Sequence, residues 1–434
     1  ITLYTTNYTL KQENRQVLSE NKINETRSMK RIIFSLAFLG FATWMSGQVT
    51  LEECRLKTQE NYPMVSQYGL IEKAKEYNLN NASKGYLPQF ALSAKASYQS
   101  DVTELPVKIP GIDVKGLPKD QYQVMIELKQ NIWDGGEIHS RKEMALAASD
   151  VEREKLNVDM YALNERVDQV YFGILLLDEQ LVQNRLLQEE LERSYRQISA
   201  YMDNGIASQS DLDAVKVEQL NTRQKRVELA ASRQAYIRML SLLTGDELTD
   251  DTELSKPLTS EVSPLAEVRR PELIWLDAQS NRLKVQEDAL KAGYLPRLGL
   301  FVQGAYGNPG LNMLKDEFTP FYVAGLRLSW NFGSLYTLKN DRRLIANSRK
   351  QLQSNRDVFL FNTKLQATQQ NSAILSMRKQ MQDDDEIIRL RTNIRKAAEA
   401  KVANGTLTVT DLLREITSES MAKQTKALHE VQLL

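Results

Sequence analysis

The chain has 434 residues, with 56 basic and 56 acidic side chains, one cysteine and two histidines. A single cysteine excludes a disulfide framework, and it excludes zinc or iron–sulfur sites that need several cysteines. The balanced charge argues against a large basic surface, so no nucleic-acid partner is expected. No apolar run reaches the roughly 18 residues of a membrane-spanning helix, whereas the weaker pattern of membrane β-strands is compatible with this composition.

The N-terminal residues have the pattern of a processed leader. Residues 1–28 are polar and aperiodic, and we expect them to be an upstream, non-native extension. Met29 and two basic residues precede an apolar stretch over 32–45, which is the arrangement of a secretory signal peptide. A membrane anchor is the alternative, but the stretch is short for a span. The signal peptide is therefore predicted over 29–47, and the mature chain is expected to be exported.

Three short motifs occur twice along the chain in the same order. Their spacing is nearly constant, with offsets of 208, 198 and 200 residues between the paired positions: 85–88 with 293–296, 128–135 with 326–333, and 203–205 with 403–405. This agreement predicts an internal duplication. We expect a first repeat over 48–245, a linker over 246–264, and a second repeat over 265–434 that is truncated at its C-terminus.

Each repeat has the same order of predicted elements. A helix of some 30 residues (50–84; 265–292) ends at Gly and Pro, because proline cannot continue a helix. Two alternating segments follow, at 89–99 and 123–132 in the first repeat and at 297–306 and 321–332 in the second. A very long helix then runs to an Asn-Gly turn, from which a second helix returns.

The alternating segments have the pattern of membrane strands. Apolar side chains occupy every second position over about ten residues, and Tyr and Trp lie near the ends. The segment 297–306 is less regular, because Phe301 falls on the polar face. An ordinary half-buried sheet packed on helices is the alternative. Since about eight strands are the minimum for a closed barrel, a barrel requires several chains, and three chains would supply twelve strands.

The two long helices are too long for a compact globule. They are predicted over 137–202 and 335–403, without proline, and each would extend roughly 100 Å. The first carries a heptad seam of apolar residues, namely Met160, Leu163, Val167, Val170, Ile174, Leu177 and Leu181. These helices must therefore pack sideways, against the other repeat and against neighbouring chains.

The duplicated order of helix, Leu-Pro, two strands, a Gly-bounded long helix, Asn-Gly and a returning helix resembles the TolC family of outer membrane factors. The resemblance covers nearly all of 49–434. It implies an α+β membrane protein: three chains form a twelve-stranded β-barrel in the cell outer membrane, and long helical hairpins continue it as a periplasmic tunnel. It also implies a periplasmic adaptor protein and an inner-membrane transporter as partners, in a tripartite efflux pump or a type I secretion system.

The resemblance further implies roles for the two Asn-Gly turns. The adaptor-contacting tips are expected at Asn204, Gly205, Ile206, Ala207, Asn404, Gly405, Thr406 and Leu407. A tight helix–turn–helix with ordinary capping is the alternative explanation, and it suffices for Ser208 and Thr408. In the family, acidic residues close the tunnel mouth, and the expected gate residues here are Asp211, Asp411 and Arg414. Arg414 stands where the family has an acidic residue, so ion pairs with Asp411 are an alternative to a cation-binding acidic ring.

Other functions are less compatible with the residues. No Ser/His/Asp set, phosphate loop or metal cluster is evident, so no enzyme activity and no cofactor are expected. A periplasmic coiled-coil scaffold without a membrane barrel is the main alternative. Basic residues on the strands, namely Lys95, Lys129, Arg297 and Arg327, are expected to line the barrel lumen, but the exported substrate stays open. The acidic run 383–386 is expected to be a solvated helix face, and Cys54 an inert helix residue.

Overall fold

The computed structural model describes residues 48–102, 118–258, 268–312 and 315–434, so the predicted extension and signal peptide lie outside the described residues. The chain divides after Val49, and the larger unit is Thr50–Leu434. Its helices are α1 (Leu51–Asn61), α2 (Ser66–Ser83), α3 (Glu137–Asp203), α4 (Gln209–Thr244), α5 (Pro271–Tyr294), α6 (Ser334–Ala403) and α7 (Val409–Leu433). Its strands are β1 (Gln89–Tyr98), β2 (Asp120–Trp133), β3 (Arg297–Asn308) and β4 (Thr319–Ser329).

The strands form one antiparallel sheet in the order β1-β2-β3-β4. Strands β1 and β2 form one antiparallel pair and β3 and β4 another, and the two pairs join through β2 and β3, with Val124 opposite Tyr306. The register aligns the apolar positions in rows across the sheet, for example Leu92 opposite Ile126. The predicted strands are therefore confirmed, and so is the period-two alternation that sets the apolar residues on one face.

The helices next to the sheet follow the same lateral order as the strands. Helix α2 leads into β1, β2 leads into α3, α5 leads into β3, and β4 leads into α6. Contacts join α2 to α3, α3 to α5, and α5 to α6. The sheet thus continues into a helical layer of the order α2-α3-α5-α6, and α4 and α7 return from the far ends of α3 and α6.

The lead-in helices are shorter than predicted. In the first repeat the chain breaks between α1 and α2, because Pro63 begins a short 3-10 turn after the extended residue Tyr62. In the second repeat the helix begins at Pro271, which occupies its first position, where a missing backbone N–H has no cost. The prediction of single helices over 50–84 and 265–292 was therefore wrong in its bounds.

Helix α3 is the central element of the helical layer. Its predicted apolar seam is confirmed, since Val167, Val170 and Ile174 are buried. Further along the same seam, Leu156, Met160 and Leu163 form a cluster against aromatic and apolar residues around the start of α2. Within the described ranges, none of the helices is both long and apolar enough to cross a membrane.

Candidate functional site

The two Asn-Gly turns at the far ends of the long helices have the same backbone structure. Gly205 and Gly405 adopt left-handed conformations, with φ of 74° and 67°. In the first turn, the Ile206 N–H donates to the Tyr201 carbonyl at 2.8 Å; in the second, the Thr406 N–H donates to the Lys401 carbonyl at 2.9 Å. These bonds satisfy helix carbonyls that would otherwise lack partners.

Each turn leads directly into a capped helix. The Asp211 N–H donates to Ser208 Oγ at 3.3 Å, and the Ser208 N–H donates to Asp211 Oδ2 at 2.9 Å, which completes a capping box. In the second turn, the Asp411 N–H donates to Thr408 Oγ1 at 3.1 Å, and the Thr408 hydroxyl donates to Asp411 Oδ2 at 2.7 Å. The carboxylates of both predicted gate aspartates are therefore engaged in holding their turns.

Arg414, the third predicted gate residue, lies beside Asp411. Its guanidinium is 3.3 Å from Asp411 Oδ1, and both residues belong to the first turns of α7. An intrachain ion pair of this kind offsets the negative charge of Asp411. This contact within one chain corresponds to the alternative stated above, in which Arg414 forms an ion pair with Asp411 instead of leaving a ring of free acidic residues.

The eight predicted tip residues divide into two groups by exposure. Ala207 and Leu407 are half-buried and pack on a shared core of α3, α4, α6 and α7 that includes Ile198 and Ile416. The other six are exposed, namely Asn204, Gly205, Ile206, Asn404, Gly405 and Thr406. The tips of the two repeats thus form one structural unit, which presents a short stretch of each turn to solvent.

A buried charged cluster above the tips was missed from the sequence. The Arg395 guanidinium contacts Glu190 at 2.9 Å, Glu419 at 2.5 Å, and also Glu399. Glu419 also accepts a hydrogen bond from the hydroxyl of Thr392. Burial alone would raise the pKa of Glu419, but bonds from Lys423, Thr392 and Arg395 hold it below its usual range.

A sequence signal for this cluster does exist. Leu412 and Ile416 belong to the apolar stripe of α7, and Glu419 follows them at the next position of that stripe. A charged residue within an apolar stripe requires a buried partner. The stripe alone does not identify that partner, Arg395, because it lies on a different helix, α6, and Arg395 in turn bonds to Glu190, which is 205 residues away from it in sequence.

The acidic run 383–386 differs from its predicted solvated state. Asp384 is buried, and its Oδ2 lies 2.8 Å from His429 Nδ1 on α7. Asp385 pairs with Lys426 at 2.5 Å. The solvated-face prediction was therefore wrong for Asp384, because the return of α7 covers that side of α6. Within the described ranges, no group of three or more potential ligands is arranged to hold a metal ion.

The basic strand residues share the polar face of the sheet, but they have different surroundings. Lys129 pairs with Glu127 at 2.8 Å, and Gln303 donates to the same carboxylate at 2.9 Å. Arg297 pairs with Glu137, the first residue of α3, at 2.8 Å. Arg297 therefore lies at the junction of sheet and helices and is engaged there, whereas Lys95 and Arg327 lie on the edge strands, opposite Gln123 and Gly299.

Comparison with known proteins finds similarity in sequence profile and in fold. Residues 57–246 match the profile of the outer membrane efflux protein family. Among curated proteins, no significant match is found.

The fold is similar to solved outer-membrane proteins. The outer-membrane channel OprN aligns with a TM-score of 0.65 at 14% identity, over 88% of this chain and 87% of OprN. VceC from Vibrio cholerae aligns with a TM-score of 0.61 at 11% identity, over 88% and 93%. The CmeC outer membrane channel from Campylobacter jejuni aligns with a TM-score of 0.60 at 13% identity, over 88% and 83%. Residues 57–246 thus match the outer membrane efflux protein family, and the chain shares the fold of these solved outer-membrane channels.

Proposed function

We propose that this chain is the outer-membrane channel of a tripartite efflux pump or a type I secretion system. It acts as a passive export duct, assembles as a homotrimer, and docks through its helical tips to a periplasmic adaptor and an inner-membrane transporter. We further propose that 48–245 and 265–434 are two copies of one repeat, joined by the linker 246–264. The single observation that carries this function is that the sheet exposes its apolar side chains instead of burying them.

The sheet exposes its apolar face. Leu92 on β1 is 76% exposed and Tyr322 on β4 is 77% exposed, and neighbouring exposed residues on this face include Phe90, Val124, Ile126, Leu326 and Leu328. A soluble sheet would cover such a face with helices, because large exposed apolar patches favour association. An apolar outer face and a polar inner face are what a strand requires when lipid lies on one side and water on the other.

The free edges of the sheet and of the helical layer support the assembly. Strands β1 and β4 each have one neighbour in the sheet, and α2 and α6 lie at the corresponding ends of the helical layer. Unpaired strand edges are excluded from lipid, since each unsatisfied backbone group costs several kcal/mol there. Head-to-tail pairing of β4 with the next copy's β1 removes both edges, and three copies close a ring of twelve strands.

Membrane fractionation of the full chain tests the channel. We expect it in the outer membrane, soluble only with detergent, and migrating without heating as an oligomer about three times the mass of the heated monomer. A soluble periplasmic monomer or dimer would contradict the channel and favour the coiled-coil scaffold.

Site-specific photo-crosslinking in cells tests the docking tips. A photoreactive residue at Ile206 is expected to capture a periplasmic protein with a helical hairpin, identified by mass spectrometry. The matched control is the same residue at Ser372, an exposed position midway along α6. If position 206 gives no product, or the same products as position 372, the tips do not dock an adaptor.

A further inference from the structure

The charges of the four strands are distributed unequally between the two faces of the sheet. The strands contain six charged residues in all: Lys95, Asp120, Glu127, Lys129, Arg297 and Arg327. Asp120 is the first residue of β2, at the end of the sheet. By register and period, the other five lie on the face opposite the exposed apolar side chains. The polar face therefore carries four cations and one carboxylate.

Two of the four cations are neutralised in place. Lys129 pairs with Glu127, and Arg297 pairs with Glu137. Lys95 and Arg327 have no carboxylate within ion-pair distance among the residues that the structure describes. Among the described residues, each chain thus keeps two uncompensated positive charges on this face, at two levels of the sheet: Lys95 is level with Gly307 and Arg327 with Gly299. Three chains in a ring would carry three charges at each level.

Arg327 is held in place by the aromatic residue that interrupts the alternation of β3. Its guanidinium lies over the Phe301 ring, 4.8 Å from the centroid. Phe301 faces Gly325 on β4, where even a Cβ atom would come within 3.1 Å of the ring. The glycine makes room for the ring, and the ring supports the guanidinium. Phe301 is therefore a positioning residue for Arg327.

We propose that Arg327 and Lys95 give the lumen of the channel a preference for anions, so that the exported solutes are of the anionic class, bearing carboxylate or phosphate groups. This inference rests on the proposed channel, because it requires the polar face to line a water-filled lumen. Low-dielectric walls focus the field of fixed charges into such a lumen, and charged rings of one sign select ions of the other. Lumen substitutions tune selectivity in barrels of this kind.

The test measures the electrostatic potential at a cysteine beside Arg327. Ser329 is exposed and lies two residues further along β4 on the same face, about 7 Å away by strand geometry. The full-length chain carrying Ser329→Cys is treated, in isolated outer membranes at low ionic strength, with methanethiosulfonates that differ only in a sulfonate or a trimethylammonium head. The ratio of the two rates, divided by the ratio for free cysteine, reports the local potential. Conduction through the channel is not required.

The parent protein, without the added cysteine, is expected to react little with either reagent. Its only cysteine, Cys54, is fully buried on α1, and burial raises the pKa of its thiol to about 11. Leu326→Cys is the matched control for the opposite face, since Leu326 is exposed on the apolar side of the same strand.

We expect the sulfonate reagent to react faster than the trimethylammonium reagent at Ser329→Cys. Adding Arg327→Gln should lower the normalised ratio about sevenfold, because one unit charge about 7 Å away changes each rate about threefold in water. Arg327→Lys should keep most of the preference. The double variant Glu127→Gln with Lys129→Gln removes one positive and one negative charge together. Its normalised ratio should therefore stay within about twofold of the ratio for Ser329→Cys alone.

Two results would overturn the proposal. The first is a normalised ratio that favours the cationic reagent, and the second is a ratio that Arg327→Gln and Lys95→Gln both leave unchanged. If Arg327→Gln does not assemble, the normalised ratio at Ser329→Cys alone still decides the point, because a ratio that favours the cationic reagent overturns the proposal. Failure of the channel itself is distinguishable: Ser329→Cys would then resist both reagents, or Leu326→Cys would react as readily as Ser329→Cys.

Discussion

Arg395 of α6 and Glu190 of α3 form an ion pair at 2.9 Å that joins two helices distant in sequence. The same guanidinium reaches Glu419 on α7. One side chain thus connects three of the four helices that meet above the tips. A buried cluster of this kind holds the helices in a defined arrangement, because any relative movement separates charges that have little access to water.

Removing Arg395 is expected to destabilise the helical tips strongly. Arg395→Gln leaves Glu419, whose side chain is only 5% exposed, with Lys423 as its remaining cationic partner, and it also removes the cation that contacts Glu190. The free energy of unfolding should fall by about 3 kcal/mol, the order found when one partner of a buried pair is removed. Thermal unfolding of the detergent-solubilised oligomer, followed by circular dichroism, measures the change. Arg193→Gln is the matched control: Arg193 pairs with the same Glu190 but is 68% exposed, so a loss below about 1 kcal/mol is expected. Equal losses for the two variants would contradict a special role for Arg395.

Stability is expected to decrease in acid through Glu419. Its pKa is lower in the folded protein than the usual value near 4.3, so the ionised carboxylate stabilises the fold at neutral pH. That contribution is fully present above the unfolded value and is lost as the pH falls through the folded value. The melting temperature of the parent should therefore fall between about pH 5 and pH 3. Glu419→Gln should be less stable than the parent at pH 7, and its melting temperature should fall less as the pH is lowered. If the melting temperatures of the two proteins fall in parallel, Glu419 is not the source of the loss of stability in acid.

Cys54 is expected to be unreactive until the protein unfolds. Burial raises the pKa of its thiol to about 11, and neighbouring Glu53 acts in the same direction. At pH 8 the thiolate fraction is therefore below about one per cent, and access is closed as well. Titration with a thiol reagent should show no reaction in the native oligomer and one thiol per chain in denaturant. A fast native reaction would show that α1 opens readily from α3.

Gly173 of α3 is expected to tolerate no side chain. A Cβ atom there would overlap the Tyr236 ring on α4, so Gly173→Ala forces the ring or the two helices to shift and should cost about 1–3 kcal/mol. Gly69→Ala on α2 is the control, since a Cβ at that position meets nothing within 4 Å. Alanine is the better helix former, so this control should be neutral or stabilising by up to about 1 kcal/mol. Melting temperatures of the two variants give the comparison, and a harmless Gly173→Ala would contradict the close packing of α3 on α4.

Much of the fold was predictable because its signals are local and repeated. The predicted bounds of the long helices, 137–202 and 335–403, differ from those of α3 and α6 by one residue at most. Proline is missing throughout, and glycine and Asn-Gly mark the ends. The turns at Gly205 and Gly405 were predictable for the same reason. Asn-Gly followed by a hydroxyl residue and Asp is a sequence signature for the end of one helix and the beginning of the next.

The contacts between distant elements were not predictable in this way. The sequence places Asp384 within an acidic run, and nothing nearby indicates that His429 will cover it. The pairing depends on how α7 lies against α6, which is a tertiary relationship. Likewise, Phe301 is an irregularity in the alternation of β3, and it is explained only by Gly325 and Arg327 on the neighbouring strand.

The shared backbone structure of the two tip turns has a consequence for divergence. Both turns are held by main-chain hydrogen bonds, a left-handed glycine and a helix cap. The exposed side chain after the glycine adds a hydrogen bond only in the second turn, where the Thr406 hydroxyl donates to the Lys401 carbonyl at 3.1 Å. That position is Ile206 in one turn and Thr406 in the other. Because the main-chain bonds are common to both turns, this side chain can differ between them while both hairpins keep the same backbone structure. In the proposed trimer, apolar and polar tips would alternate around the ring, and a partner that distinguishes them would meet two kinds of site on one chain.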